Sequence, residues 1–133
     1  MSELTTVWAS STSQGEPNIY TTHGSLDRPG THPTAGELAA AAVAVELLDA
    51  FRAEATALDL SWSHAEITVD LNQQERPRRI ARVEYQLRVD AVGDALAEIL
   101  AHRLEGRSPV LATLATVAEH SGHVVVRREH AKP

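Results

Sequence analysis

The sequence predicts an α+β domain. Three observations carry that prediction: a long alanine-rich stretch with no proline, two neighbouring stretches that alternate strictly between apolar and polar residues, and turn-forming residues between these stretches. The element order read from the chain is β-β-α-β-β-α-α-β, within one domain spanning residues 1–133. A chain of this length buries enough surface for a core without disulfides or metals to staple it.

Leu4, Thr6 and Trp8 alternate with Thr5, Val7 and Ala9, the pattern of a short first strand. Ser10 to Pro17 is rich in Ser, Gly and Pro and reads as a connection. Asn18 to Thr22 has the β-branched and aromatic content of a second strand. Residues 23–33, with two glycines, two prolines and two histidines, form a loop. Thr34-Ala35-Gly36-Glu37 is a capping-box pattern that opens the long helix. The helix runs on to Leu58, helped by nine alanines between Ala39 and Ala57. Val43, Leu47, Phe51, Glu54 and Leu58 share one side of it, widened by Leu48 and Ala55. Ala39, Ala42, Ala50, Ala53 and Ala57 lie roughly opposite, so the helix is apolar on two sides.

Ala65, Ile67, Val69 and Leu71 alternate with polar residues, and Val83, Tyr85, Leu87 and Val89 do the same. Both segments fit strands of a sheet with one wet face. Asn72 to Arg78, with Pro77, reads as the hairpin between them. Asp90 is a cap for a second helix with apolar positions Val92, Leu96, Ile99, Leu100 and Leu104. Ser108-Pro109 is a start signal for a third, running through Val110, Leu111, Leu114 and Val117 and stopping near Gly122. Val124 to Val126 closes the chain as a strand.

Composition removes whole classes of chemistry. The chain has no cysteine, so it carries no disulfide, no thiolate metal site and no thiol nucleophile. Its net charge of −6 argues against a nucleic-acid partner, which requires a basic face. No apolar run is long enough for a membrane span, and the first residues have no secretory pattern; a cytoplasmic location is the expectation. A helix apolar on two sides leaves one side uncovered in a small monomer, so a homodimer is expected.

Two stretches carry a family resemblance. Pro33-Thr34-Ala35-Gly36-Glu37-Leu38-Ala39-Ala40-Ala41-Ala42-Val43-Ala44-Val45-Glu46 resembles the long helix of the OsmC/Ohr family of bacterial osmotic-stress and organic-hydroperoxide proteins. Ser108-Pro109-Val110 resembles the family's Cys-Pro-Val at the start of the last helix. The resemblance implies an OsmC-like fold and an intertwined homodimer with the alanine-rich helices at its centre. It places the peroxidatic thiol position on Glu46 and the resolving position on Ser108. The helix-start glutamate of the family falls on Gly36, with Glu37 one place away. The family's loop arginine has no match in Ser10 to Pro17, which holds no arginine; the first in the chain is Arg28. Thiol peroxidase activity needs a thiolate beside a cation, so this chain is expected to lack it.

The candidate site residues are therefore Glu46, Ser108 and Glu37. Glu46 lies among alanines, where a buried carboxylate is either functional or held by an ion pair as a structural contact. Ser108 is a nucleophile only beside a base, and helix capping is its simpler role. His120 and His123 are three apart, and His23 and His32 share a loop, but zinc sites need three or more protein ligands; no metal and no cofactor is assigned. Tyr20, Trp8 and Trp62 read as core or interface residues, and the arginines at 76–79 and 127–128 as solvated faces. The leading expectation is a stress-related, non-peroxidase protein that binds a small apolar ligand in a dimer-interface pocket. The alternatives are a cysteine-independent enzyme with Glu46 as general acid or base, and a structural protein with no ligand.

Overall fold

A computed structural model describes residues 2–26, 30, 32–75, 78–91, 100 and 103–128. The elements are β1 (Ser2–Thr12), β2 (Asn18–Thr21), β3 (Gly24–Ser25), α1 (Ala35–Ala57), β4 (Trp62–Glu75), β5 (Arg78–Ala91), α2 (Pro109–Ala115) and β6 (Glu119–Arg128). Leu100 and residues 103–105 are helical as well. The strands form one sheet in the order β3-β2-β1-β4-β5-β6. Neighbours are antiparallel except β5 and β6, which run parallel. Parallel strands require a crossover, and the helical residues before α2, with α2 itself, lie on that connection.

Alternation assigns one face of the sheet to α1. Thr5, Val7, Ala9 and Ser11 of β1 are buried, as are Ala65, Ile67, Val69 and Leu71 of β4 and Val83, Tyr85, Leu87 and Val89 of β5. The other face carries Asp70, Glu66, Arg82, Glu84 and Arg88. Thr6 donates to Asp70 there at 2.5 Å, and Arg82 pairs with Glu84 at 2.7 Å. In β1 the larger apolar residues sit on this outer face: Leu4 is 61% exposed and Trp8 half-buried. Val43, Leu47, Leu48 and Phe51 of α1 are fully buried against the inner face. Each such side chain contributes roughly 1.5–3 kcal/mol of transfer free energy, so this layer dominates the stability of the chain.

Both ends of α1 are well defined. Thr34 accepts from the Glu37 amide at 3.1 Å and Glu37 accepts from the Thr34 amide at 2.9 Å, the reciprocal cap its sequence predicts. At the other end the Leu60 amide donates to the Ala55 carbonyl and the Asp59 amide to that of Thr56. Asp59 takes the left-handed φ of 52° that this closing motif requires. Trp62 then packs edge-on against Phe51, with ring centroids 5.0 Å apart, and the Arg52 guanidinium lies over the same indole. The guanidinium also donates to the Thr12 and Gly15 carbonyls, tying the β1–β2 loop to the helix.

Glu54, the one charge in the apolar stripe of α1, is buried and bridged by Arg103 at 2.9 Å and Arg107 at 2.5 Å. The hydrogen bond from Arg103 first, then contact with Arg107, holds its carboxyl below the ordinary range against the opposing effect of burial. A buried charge needs such partners, and here they join α1 to the crossover.

Several local expectations differ from the structure, and part of one falls outside the described residues. A short third strand, β3, lies inside the expected 23–33 loop, paired as Tyr20↔Ser25 and Thr21↔Gly24. The expected hairpin loop from Asn72 to Arg78 is mostly strand. Pairing continues to Glu75↔Arg78 after a register shift at Asn72/Gln73, because polar side chains can alternate as regularly as apolar ones. Asp90 belongs to β5, opposite His64 and Arg127, rather than to a helix cap. Of the second helix, Val92, Leu96 and Ile99 lie outside the described residues, as does Pro77, while Leu100 and Leu104 are fully buried. Finally, α2 ends at Ala115, well short of Gly122. Thr113 and Thr116 turn their hydroxyls onto the carbonyls of Pro109 and Thr113. The segment from Glu119 is drawn into the sheet by its parallel register with β5.

Gly122 is required where it stands. It faces Tyr85 across β5 and β6, and a Cβ there would lie 1.9 Å from the ring carbon Cζ. The ring crosses this gap to place its hydroxyl on Glu105 at 2.7 Å. Burial first, then the Glu105 carboxylate, pushes the phenol well above its usual range. Gly122→Ala should therefore destabilise the protein by about 1–3 kcal/mol, the range for overpacking. Combined with Tyr85→Ala, it should cost less than the two single changes added together. Urea unfolding of the four-protein cycle measures this, and an unchanged midpoint for Gly122→Ala would contradict the packing described.

Candidate functional site

Glu46 sits on the half-buried flank of α1, and its Oε1 accepts a hydrogen bond from the Val110 amide at 3.1 Å. Ser108 is buried, and its Oγ accepts from the Leu111 amide at 3.1 Å. The first turn of a helix leaves amides with no carbonyl to bond. In α2 two of these, at Val110 and Leu111, are met by one side chain from α1 and one from the cap itself. The structure thus brings Glu46 and Ser108 together, far apart though they are in the chain, around the start of α2. The role of Ser108 there is capping, and no base stands in a described contact with its hydroxyl.

Glu37 is elsewhere. It lies nine residues before Glu46 on the same helix, about 13 Å along the axis at 1.5 Å per residue. Its carboxyl is buried, and Oε2 lies 3.4 Å from Nδ1 of His23. The amide of Thr34 is the main cause of a carboxyl held below its ordinary range, aided by Thr21, His23 and the Thr34 hydroxyl and opposed by burial. At neutral pH Glu37 is an anion that orients the exposed imidazole of His23. The three candidates therefore form two places, not one.

The clefts follow Glu37 rather than Glu46. One of about 410 Å³ is lined by Glu3, Thr34, Ala35, Gly36, Gln73 and Arg79 among others. Another of about 310 Å³, sharing Glu3 and Thr34, is lined by Thr5, Thr6, Thr22, His23 and Glu37 as well. A third, shallower one of about 650 Å³ lies between Arg79, Arg82 and the end of α2. Neither Glu46 nor Ser108 lines any of the three.

The histidine pairs do not converge. His120 and His123 both lie in β6, where an odd spacing sends side chains to opposite faces. His120 comes within 4.0 Å of Glu105 on the α-helical side. His23 turns to Glu37, while His32 is exposed. Among the described residues no three His, Asp or Glu side chains are grouped to hold a metal ion. Arg28 lies outside the described residues.

Three functional-looking contacts had no clear sequence signal. The capping box marks Glu37, but nothing in the 23–33 loop pointed to His23 as its partner. Glu54 was visible as a charge within an apolar stripe, yet Arg103 and Arg107 were not identifiable as its partners. The bond from Val110 to Glu46 depends on a backbone donor and leaves no trace in residue type.

The expected second apolar side of α1 is only partly uncovered. Ala50 is buried within the chain and Ala39 half-buried, while Ala42, Ala53 and Ala57 are exposed. Leu38, 54% exposed, and half-buried Val45 extend the uncovered strip. No helix among the described residues is long and apolar enough to cross a membrane.

No protein-family model matches the chain, and no curated protein matches it. Solved structures do. An OsmC-like protein from Mycoplasma pneumoniae superposes with a TM-score of 0.62 at 12% identity, covering 92% of this chain and 96% of its own. A hypothetical protein from Aquifex aeolicus gives 0.64 at 14% identity, covering 93% and 96%. An organic hydroperoxide resistance protein OsmC from Legionella pneumophila gives 0.57 at 18% identity, covering 88% and 95%. At such identities the likeness speaks for architecture: this cysteine-free chain has the fold of the OsmC/Ohr proteins.

Proposed function

We propose that the chain is a stress-related, OsmC-fold homodimer without peroxide-reducing activity, which holds a small, largely apolar ligand between its two copies beside Glu46. The observation that carries this reading is the uncovered strip of α1, from Leu38 through Ala42 and Val45 to Ala53, apolar except for the exposed Asp49. Apolar surface on a long, rigid helix favours a second copy of the same helix, and small side chains let the two approach. Glu46 borders that strip and commits only Oε1 to the cap; Oε2 accepts no hydrogen bond among the described residues. A ligand at the strip would meet apolar side chains and this one polar atom, a common balance for small-molecule sites.

Glu46 and Ser108 act, in this proposal, as a clamp that fixes α2 on α1. Where a thiol pair would join the two elements covalently, the Val110 amide joins them by donating to the Glu46 carboxylate, while the Ser108 hydroxyl caps the start of α2 itself. The alternative of an enzyme with Glu46 as general acid or base rests on Oε2 alone. The cap favours a holding role over proton transfer, because Glu46 cannot swing freely while Val110 donates to it.

Light scattering at micromolar concentration should give a dimer mass. cis-Parinaric acid, as an apolar fluorescent probe, should bind saturably, and Val45→Glu should abolish both dimer and binding. A monomer mass would overturn the interface; a dimer that leaves the probe unbound would favour the purely structural alternative. Cumene hydroperoxide with dithiothreitol in metal-free buffer should disappear no faster than with heat-treated protein, because no residue can form the required sulfenic acid.

The clamp has its own test. Disulfide geometry needs Cα atoms roughly 4.4–6.8 Å apart, and the shared cap of α2 brings positions 46 and 108 close. The double variant Glu46→Cys/Ser108→Cys should lose both free thiols under mild oxidant and recover them on reduction, as mass spectrometry reads. The bond should add back about 2–4 kcal/mol lost with the two caps. Two thiols that stay free while circular dichroism shows an intact fold would refute the placement.

A further inference from the structure

Among the described residues, His23 is the only imidazole within hydrogen-bonding reach of a buried carboxylate. It sits with Thr22 at the turn between β2 and β3, where Thr21 pairs with Gly24 and the glycine takes a φ of 112°. The His23 amide donates to the Thr21 hydroxyl oxygen at 3.0 Å, which fixes the backbone of the turn. The ring Nδ1 lies 3.4 Å from Glu37 Oε2, and Glu37 Oε1 is taken by the Thr34 amide at 2.9 Å. A carboxylate anion only accepts hydrogen bonds, so Nδ1 carries the imidazole proton and Nε2 keeps its lone pair. With the side chain 75% exposed, that lone pair is open to a solute.

Both members of the pair line the 310 Å³ cleft, together with Glu3, Leu4 and Thr22 among others. An ion pair that only joined two elements would need no cleft, whereas this base opens into one large enough for a small molecule. Two glutamates and no lysine or arginine line it, so its field favours a cation over an anion. Leu4, 61% exposed, adds an apolar contact.

We propose that His23 is the general base of a hydrolytic site for small esters that carry an ammonium group, α-amino esters being the simplest. Nε2 takes a proton from a water molecule as the water oxygen bonds to the ester carbonyl carbon. The tetrahedral intermediate then breaks its bond to the alcohol oxygen, which leaves with the proton from Nε2. Ester and water become acid and alcohol, and no other reactant is needed. The Thr22 hydroxyl is a donor for the carbonyl oxygen, Glu3 an acceptor for the ammonium, and Leu4 a contact for a small apolar side chain. Glu37 is a positioning residue: it keeps its bonds to the cap and steadies the imidazolium that forms between the two steps. A positioned imidazole contributes about 10²–10⁴-fold to such a reaction. This site is separate from the strip beside Glu46 and does not depend on that reading.

The test follows acid release from L-leucine methyl ester and from its N-acetyl derivative, with the full chain at neutral pH and heat-treated protein as the blank. The free-amine ester should be hydrolysed above the blank, with a kcat/KM up to about fivefold that of the acetylated one, as an exposed ion pair to Glu3 allows. His23→Gln, at an exposed position that keeps the fold, should lower the rate about 100-fold, towards the blank. Glu37→Gln retains an acceptor for the cap, and should lower kcat with little change in KM. Nitrogen NMR of its imidazole should show the His23 proton moved from Nδ1 towards Nε2, which lost stability alone would not produce. A rate equal to the blank, or one unchanged in His23→Gln, would overturn the site. Equal rates for the two esters would overturn its assignment to ammonium-bearing substrates.

Discussion

The burial of one broad side of α1 against one face of the sheet is the constraint on which everything else in this protein depends. Val43, Leu47, Leu48 and Phe51 lose all contact with solvent there, together with the inward residues of β1, β4 and β5. A helix so fixed cannot rotate without exposing several large side chains at once. The glutamates of α1 are aimed by that fixed rotation. Glu37 is turned inward at the start, Glu46 sideways in the middle, and Glu54 towards the crossover near the end.

Those three glutamates show how one helix handles charge at three depths. Glu37 is buried and satisfied locally, by the cap it helps to form. Glu54 is equally buried and draws two arginines from a segment some fifty residues away in the chain. Glu46 is half-buried and, among the described residues, bonds only to a backbone amide. The first two have no freedom to do chemistry without losing the contacts that make their burial tolerable. Glu46 is the least encumbered, and it is also the one at the edge of the uncovered strip.

In this chain α2 is held against the middle of α1 through the Val110 amide, which donates to Glu46. The Glu46 carboxylate meets one orphan amide of α2 from outside, and the Ser108 hydroxyl meets another from within the same helix. The chain shares its fold with OsmC/Ohr proteins and contains no cysteine. Fold and activity are separable in general, because activity resides in a few side chains carried on a scaffold.

By itself the sequence determined the elements whose cause is local. The alanine-rich helix, its Thr34–Glu37 cap, the Ser108 start of α2 and the alternation of β4 and β5 all follow from neighbours in the chain. The absence of thiol chemistry follows from composition alone. Tertiary structure decided what depends on pairing. It fixed which of the two faces of β1 is buried, where Leu4 and Trp8 mislead by their size. It set the parallel register that pulls Glu119 to Gly122 into strand instead of helix, and the continuation of β4 and β5 through polar residues. It also set the partners of the site residues: His23 for Glu37, the Val110 amide for Glu46, and Arg103 with Arg107 for Glu54. Such contacts join groups distant in the chain, often through backbone donors that every residue carries. The pattern of side chains cannot encode them until packing has brought the groups together.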